Sequence, residues 1–225
     1  MSKVRVHNLA ISLDGFATGE GQSREAPFGH AGKRLMEWFI PTATFQNMSG
    51  DRERQPVSLA AQPDDRYARQ GLEGIGVEIM GANKFGPPGW HSDPEWRGWW
   101  GENPPFHTPV IVLTHHERPP IECEGGTMFH FVTASNQDAL SLAREMAGGQ
   151  DVRLGGGPST VRSFLREGLV DMLHVVVSPI ILGRGERLWD GLEGVERDFD
   201  VVSETTPSGV THITFTKRER ERERE

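Results

Sequence analysis

Apolar and polar residues alternate at the start of the chain. The alternation runs from Val4 to Ser12 and then meets the pair Asp14-Gly15. A period of two residues is typical of a strand, and an Asp-Gly pair is a turn signal. The pattern therefore predicts a first strand followed by a loop.

Later apolar runs predict the rest of a sheet. Val110 to Thr114 is continuous, as expected for a strand that is covered on both faces. The other runs predicted as strands are Val77 to Met80, Phe129 to Val132, Val152 to Leu154, Met172 to Leu182, Phe199 to Val202 and Val210 to Phe215. The last two flank Pro207-Ser208-Gly209, which predicts a closing hairpin.

Helical spacing separates several of these runs. Helices are predicted over Lys33 to Phe39, Asp64 to Glu73, Ser135 to Gly148 and Pro158 to Gly168. Ser135 and Asp138 have the spacing of a capping box at the start of the third helix. Strands that alternate with helices predict an α/β domain with a mainly parallel sheet and an antiparallel C-terminal edge.

Two segments fall outside this alternation. Thr42 to Pro63 shows no steady period, and we interpret it as an insertion or mobile loop. Residues 217–225 alternate Arg and Glu and are interpreted as a charged tail. The rest predicts a single domain over residues 1–216.

Composition narrows the class of protein. The 225 residues carry a formal net charge of −8, which argues against nucleic-acid binding by a broad basic surface. Cys123 is the single cysteine and cannot form an internal disulfide. No apolar run approaches the roughly 20 residues of a membrane-spanning helix. We therefore expect a cytoplasmic protein that binds neither nucleic acid nor membrane.

The strongest chemical motif lies between a predicted strand and a helix. It comprises Gly155, Gly156, Gly157, Pro158, Ser159 and Thr160. Glycines let the backbone approach a ligand closely, and unpaired N–H groups at a helix start favour a phosphate or diphosphate. The spacing matches neither the Rossmann fingerprint nor the phosphate loop that carries a lysine. Taken alone, the glycines could equally make only a tight turn.

Two other predicted strands also end in polar residues. Gly81, Asn83 and Lys84 follow one of them, and Thr114, His115 and His116 follow another. Ligands of open α/β sheets bind beyond the carboxyl ends of strands, so these segments are predicted to converge on one groove. Lys84 alone would more often be a solvated surface lysine.

Asp14 is the candidate carboxylate. At a strand end it could hold a polar substrate or relay a proton, but an Asp-Gly pair is also ordinary turn chemistry. A metal site is disfavoured at His115-His116, because adjacent side chains of an extended segment point apart. No Gly-x-Ser-x-Gly elbow occurs, which disfavours a covalent hydrolase.

Tryptophan is concentrated in one Gly/Pro-rich segment, at Trp90, Trp96, Trp99 and Trp100. Such clustering favours packing of a loop against the core over stacking on a ligand.

The motifs in order resemble the dihydrofolate-reductase-like superfamily, in particular the C-terminal reductase domain of the riboflavin-biosynthesis deaminase/reductase. The resemblance covers about residues 4 to 216. It rests on Ser12-Leu13-Asp14-Gly15, Met80 to Phe85, the strand Val110 to Thr114, Leu154 to Pro158, Gly168 to Asp171 and Ser178 to Gly185.

The resemblance implies a mixed-sheet domain, often a homodimer, that binds NADPH, with NADH as the alternative. Gly155 to Thr160 would hold the diphosphate, with Gly81, Asn83 and Lys84 at the second helix start. Thr114, His115 and His116 would lie near the adenosine ribose and its 2′-phosphate. A positive spot consistent with that phosphate would be formed by His115, His116, Lys84 and Arg118. Ala10 and Ala17 would flank the nicotinamide, and Asp14 would face the substrate.

Departures from the family pattern bear on the substrate. Dihydrofolate reductases carry an acidic residue three positions before a Trp-Phe pair; here Trp38-Phe39 is preceded by Leu35, which argues against folate. The zinc-ligand motifs of the partner deaminase are absent from the sequence.

The resulting prediction is an NADPH-dependent reductase of a small heterocyclic, carbonyl or imine substrate. Its activity would be related to those of 5-amino-6-(5-phosphoribosylamino)uracil reductase and dihydrofolate reductase. The alternative is a catalytically inactive dinucleotide-binding or regulatory module.

Overall fold

A nine-stranded sheet organises the part of the chain that the computed structural model describes, residues 2–49 and 61–219. The strands are β1 (Val4–Ser12), β2 (Phe16–Thr18), β3 (Ile75–Gly81), β4 (Pro109–Leu113), β5 (Ile121–Glu122), β6 (Met128–Val132), β7 (Asp151–Gly156), β8 (Met172–Ser178), β9 (Glu186–Arg187), β10 (Phe199–Thr205) and β11 (Thr211–Lys217). The helices are α1 (Ala43–Ser49), α2 (Gln62–Gln70), α3 (Ala82–Phe85), α4 (Asn136–Met146) and α5 (Pro158–Arg166). The order across the sheet is β10-β11-β8-β1-β7-β3-β4-β6-β5, and β2 pairs with β9 separately.

The centre of the sheet is parallel and both edges are antiparallel. β8, β1, β7, β3, β4 and β6 run in one direction. β11 is antiparallel to β8, β10 closes the C-terminal hairpin, and β5 lies antiparallel to β6 at the other edge. The predicted α/β class, with its mainly parallel sheet and antiparallel C-terminal hairpin, is confirmed.

Helices cover one face of the sheet. Leu140 of α4 and Phe164 of α5 pack with Ile79 and Leu154 of the central strands, and all four side chains are buried. The N-cap half of the predicted capping box is confirmed, since Ser135 Oγ accepts a hydrogen bond from the Asp138 N–H at 3.1 Å; the Asp138 carboxylate accepts from the Ser135 hydroxyl at 2.6 Å. This packing holds the starts of both helices at the same edge as the ends of the parallel strands.

The opposite face is covered by irregular segments and by α2. Leu35, Trp38 and Phe39 pack with Ala10 of β1 and with Ala68 of α2. The remaining part of this face is covered by the tryptophan-rich segment, described below.

Two local predictions were wrong. The helix expected over Lys33 to Phe39 is a single 3-10 turn at Arg34–Met36 followed by turns. The loop expected from Thr42 begins instead with α1. Thr42 Oγ1 accepts from the Phe45 N–H at 3.1 Å, and Asp65 Oδ1 accepts from the Thr44 N–H at 2.7 Å. The second bond comes from α2, so a tertiary contact stabilises a helix whose own sequence has no clear period.

The ends of two predicted segments also differ. Residues 50–60 of the predicted insertion lie outside the described residues, as do residues 220–225 of the predicted tail, and the end of the insertion, Gln62 and Pro63, is the start of α2. The tail was predicted to start at Lys217, but this residue is the last of β11.

Candidate functional site

Three adjacent parallel strands end at one edge of the sheet. β7, β3 and β4 are neighbours in the sheet and run in the same direction, so Gly155 to Gly157, Gly81 to Lys84 and Thr114 to His116 follow strand ends on the same side. The structure thus brings together the three segments that the sequence predicted to converge.

The glycine bend connects β7 to the start of α5. Gly156 has a φ of +109°, which side chains disfavour, and the Gly156–Gly157 peptide is cis. Gly157 is the N-cap of α5, and no side chain of the described residues caps this helix end. A Cβ on Gly157 would meet no atom of residues 2–49 and 61–219 within 4 Å, so in this part of the chain the helix start faces open space. Pro158 begins the helix and is buried, whereas Ser159 is exposed.

The end of β3 lies directly against this helix start. A Cβ on Gly81 would lie 2.2 Å from Thr160 Oγ1, so only glycine permits the close approach. Asn83 is exposed in α3, and its backbone oxygen accepts a hydrogen bond from Gln22 Nε2 at 3.0 Å. The backbones of β3 and α5 therefore form adjoining walls of the edge.

Lys84 points inward instead of into open space. Its Nζ lies 3.0 Å from Oε1 of the buried Glu78 and donates to the Gly155 oxygen at 2.6 Å, while Arg153 Nη1 lies 3.2 Å from Glu78 Oε2. Burial lowers the pKa of Lys84, and Glu78 opposes that shift. Lys84 therefore bonds to the backbone of the glycine bend, Gly155 to Gly157, on its inner side. Its predicted contact with a cofactor stays a prediction.

Glu78 was missed by the sequence analysis. It lies in the middle of the predicted apolar strand Val77 to Met80, and a single charge within such a run was the available signal. A Cβ on Gly155 would lie 2.1 Å from Glu78 Oε1, so the buried carboxylate also explains the first glycine of the motif.

The end of β4 is fixed by local hydrogen bonds. Thr114 Oγ1 accepts from the His116 N–H at 3.1 Å, and Thr133 Oγ1 donates to the Thr114 oxygen at 2.7 Å. His115 and His116 are exposed. The His116 ring stacks on His91 with 3.5 Å between centroids and 6° between planes, a partner that sequence spacing did not indicate.

A shallow cavity lies beside this strand end. It has a volume of about 530 Å³ and is lined by Glu117, Arg118, Phe131 and Thr133, among others. The Arg118 guanidinium lies 5.8 Å from the centroid of the Phe131 ring. The Phe131 ring and the Arg118 guanidinium therefore lie beside the strand end that carries His116, the partner of His91.

Asp14 follows β1 and is held as a carboxylate. Ser12 Oγ donates to its Oδ1 at 2.6 Å, the Leu182 N–H donates to the same oxygen at 3.1 Å, and the Gly183 N–H donates to Oδ2 at 2.7 Å. These bonds, the Ser12 hydroxyl foremost, lower the pKa of Asp14 to about 2. The group is ionised at neutral pH and cross-links the loop after β8.

The two alanines predicted beside the nicotinamide lie near the same end of β1. Ala10 is buried on the face that carries Trp38, and Ala17 is half-buried in β2.

The tryptophan-rich segment packs against the protein. Trp90 is buried beside Phe85 of α3, with 4.9 Å between ring centroids, and Trp96 Nε1 donates to the Phe85 oxygen at 3.2 Å. Trp100 stacks on Phe129 of β6. The predicted packing role is confirmed.

Within residues 2–49 and 61–219, no group of three or more His, Cys, Asp or Glu side chains is arranged to hold a metal ion. No helix in these ranges has the length and apolar character needed to cross a membrane.

The sheet order, the glycine bend and the polar strand ends together define an α/β domain with the mainly parallel sheet predicted above. Residues 3–212 match the family described as RibD C-terminal domain, and the chain belongs to that family. The resemblance inferred from the motifs is thereby confirmed. No curated protein matches the sequence.

Solved structures share the fold at low identity. A putative riboflavin biosynthesis protein from Shewanella sp. PV-4 is 20% identical with a TM-score of 0.58, over 97% of this chain and 100% of that one. A pyrimidine reductase-like protein from Corynebacterium diphtheriae is 15% identical with a TM-score of 0.50, over 97% and 93%.

The third relative is a larger protein. It is the diaminohydroxyphosphoribosylaminopyrimidine deaminase/5-amino-6-(5-phosphoribosylamino)uracil reductase from Thermotoga maritima. It is 15% identical with a TM-score of 0.51, over 96% of this chain and 57% of the Thermotoga chain. At these identities the likeness establishes the fold.

Proposed function

We propose that this protein is an NADPH-dependent reductase of a small heterocyclic, carbonyl or imine substrate, related to the pyrimidine reductases. Membership of the RibD C-terminal domain family supports the reductase class. The names of the Corynebacterium and Thermotoga relatives both refer to a pyrimidine-type reductase.

The observation that carries the proposal is the open start of α5. Within the ranges that the structure describes, Gly157 faces free space and no side chain caps the helix, while Gly81 and Thr160 pack closely beside it. Backbone N–H groups and the positive end of the helix dipole favour a diphosphate at such a position. The residues present therefore fit the dinucleotide, with Gly155 to Thr160 along its diphosphate.

The other strand ends support the phosphorylated form of the cofactor. Thr114, His115, His116 and Arg118 provide hydroxyl, imidazole and guanidinium donors at the end of β4 and beside the cavity. Such donors suit a 2′-phosphate, since charge-assisted hydrogen bonds to phosphate are stronger than neutral ones. We therefore expect NADPH to bind more tightly than NADH.

The chain itself supplies orientation. Bound reduced nicotinamide provides a hydride for a C=N or C=O bond. Ala10 and Ala17 would leave room for its ring, and the Asp14 carboxylate would accept a hydrogen bond from a substrate N–H or O–H. Because Asp14 is ionised at neutral pH, it serves as an acceptor and not as the proton donor.

Replacing Gly157 by Asp, with Asn as the matched control, tests the diphosphate site. Both side chains suit an N-cap and should stabilise α5 by a few tenths of a kcal/mol relative to glycine. Only Asp places a negative charge against the diphosphate, so we expect Gly157→Asp to raise the dissociation constant for NADPH about tenfold or more over Gly157→Asn, a change of about 1.4 kcal/mol.

Thermal unfolding with and without NADPH measures both effects. Wild-type protein at 100 times the dissociation constant should gain about 2.7 kcal/mol. Equal NADPH affinities in the Asp and Asn variants would contradict the site. Tight binding with no cofactor oxidation over a panel of imines, carbonyls and pyrimidines would favour the inactive dinucleotide-binding module instead.

A further inference from the structure

β1 contains one extra residue where it pairs with β8. Val6 pairs with Leu173 and Leu9 with Val175, so His7 and Asn8 together lie opposite His174. Asn8 has a φ of +59°. A bulge of this kind turns the strand and sets the direction of the residues that follow. Those residues lead to Ala10 and on to Asp14.

At the bulge, the backbone N–H of Asn8 bonds to a side chain instead of to a backbone oxygen of β8. The Asn8 N–H donates to Nδ1 of His174 at 3.2 Å. Asn8 Nδ2 donates to the Ala68 oxygen at 3.3 Å, and a Cβ on Gly71 would lie 2.5 Å from that nitrogen. The bulge is therefore held by an imidazole on one side and by α2 on the other.

The imidazole is the first member of a buried chain. His174 Nε2 lies 3.0 Å from Nδ1 of His212, and His212 Nε2 lies 2.9 Å from Oδ1 of Asp64. The side chains of His174, His212 and Asp64 are at most 1% exposed. The chain thus runs from β1 through β8 and β11 to α2.

The chain has one consistent direction of donation. Because the Asn8 N–H donates to His174 Nδ1, neutral His174 carries its proton on Nε2 and donates to His212 Nδ1. His212 then carries its proton on Nε2 and donates to the Asp64 carboxylate. Burial, with His212 and His7 nearby, lowers the pKa of His174 to about 3, in keeping with a neutral ring.

Packing leaves these rings little freedom. Tyr67 of α2 stacks on His212 and His174 with centroid distances of 3.9 and 4.9 Å, and Trp38 meets the edge of His212 at 5.3 Å. A proton on His174 Nδ1 would meet the Asn8 N–H, and a proton on His212 Nδ1 would meet the His174 Nε2–H, so reversal of either ring places two donors face to face.

We propose that Asp64, His212 and His174 are positioning residues that fix the β1 bulge and, through it, the placement of Ala10 and Asp14 at the reactive end of the site. The role at the site rests on the proposed reductase function. None of the three is a catalytic residue, since each acts through the backbone of β1.

Two variants of Asp64 distinguish loss of the hydrogen-bond acceptor from loss of the charge alone. Asp64→Asn keeps an oxygen that accepts from His212, so the direction of the chain persists. Asp64→Leu removes the acceptor and leaves the buried His212 Nε2–H without its partner, so the His212 ring must shift and with it the His174 ring that accepts from the Asn8 N–H. Tyr67→Phe is the control, because it keeps the ring stack and loses only the hydroxyl bond to Glu204 at 2.6 Å.

The measurements are the NMR resonance of the Asn8 amide, the dissociation constant for NADPH, and kcat and KM for NADPH oxidation. We expect Asp64→Leu to move the Asn8 resonance and to lower kcat/KM about tenfold or more, since a shift of about 1 Å in a reacting geometry costs up to about 100-fold. Asp64→Asn and Tyr67→Phe should remain within about twofold of wild type, a difference of about 0.4 kcal/mol.

Other outcomes overturn the proposal. If Asp64→Leu moves the Asn8 resonance but leaves kcat and KM unchanged, the bulge does not control the site. Should Asp64→Leu fail to fold, the imidazole nitrogens of wild-type protein still decide: a protonated Nδ1 on His174 rules out the chain. Wild-type protein that binds neither dinucleotide would refute the proposed function separately, and the Asn8 resonance would still report on the bulge.

Discussion

Neighbouring glycines of the same motif have different physical reasons to be glycine. Gly155 is confined by the buried Glu78 carboxylate, whereas Gly157 faces open space. The sequence could predict that the motif approaches a ligand, but it could not separate these roles. Glu78 and Lys84 reach Gly155 only because β3 and β7 are adjacent, and strand order is not encoded locally.

Alanine at these two positions should therefore behave differently. Gly155→Ala forces a methyl group to within 2.1 Å of Glu78 Oε1 and must displace the carboxylate or the strand. We expect a loss of about 1–3 kcal/mol in the free energy of unfolding, as in other overpacked sites. Gly157→Ala should cost less than about 1 kcal/mol. Urea denaturation measures both, and equal losses would contradict this account.

At the scale of elements, the sequence predicted those features that depend on residues close together in the chain. The α4 start was predicted from Ser135 and Asp138 because a capping box lies within four residues. α1 was missed because its start is bonded to Asp65, which lies 21 residues further along the chain. The inward turn of Lys84 and the partner of His116, His91, were missed for the same reason.

The cap of α4 gives a prediction at this scale. Ser135→Ala removes the acceptor for the Asp138 N–H and should lower the free energy of unfolding by about 1 kcal/mol. Ser141→Ala is the matched control, because this exposed serine donates only to the Gln137 oxygen within the same helix. Chemical denaturation compares the two, and a larger loss for Ser141→Ala would refute the cap assignment.

For the whole molecule, the buried histidines set the response to acid. Burial, the largest cause, together with nearby positive groups, lowers the pKa of His7 and of His174 from 6.5 to about 3. The unfolded chain therefore binds protons on both rings between about pH 3 and pH 6.5, while the folded chain does not. The free energy of unfolding must fall as the pH falls through this window.

Between pH 6 and pH 5 we expect the two rings to reduce the free energy of unfolding by about 2 kcal/mol. His7→Phe should reduce this dependence by about 1 kcal/mol, the share of one ring, because His174 and His212, whose pKa values are also lowered by burial, still contribute. Urea denaturation at several pH values measures the slope. A free energy of unfolding that stays constant over this range, or an unchanged slope in His7→Phe, would contradict the prediction.

The placement of the indoles has an optical consequence. Four of the six tryptophans lie in the segment around Trp90 to Trp100, which packs on Phe85 directly after the end of β3. If the proposed NADPH binds at that sheet edge, excitation energy would pass by resonance from these indoles to its reduced nicotinamide. Quenching of the intrinsic emission on addition of NADPH would then measure binding at the proposed site in unlabelled protein.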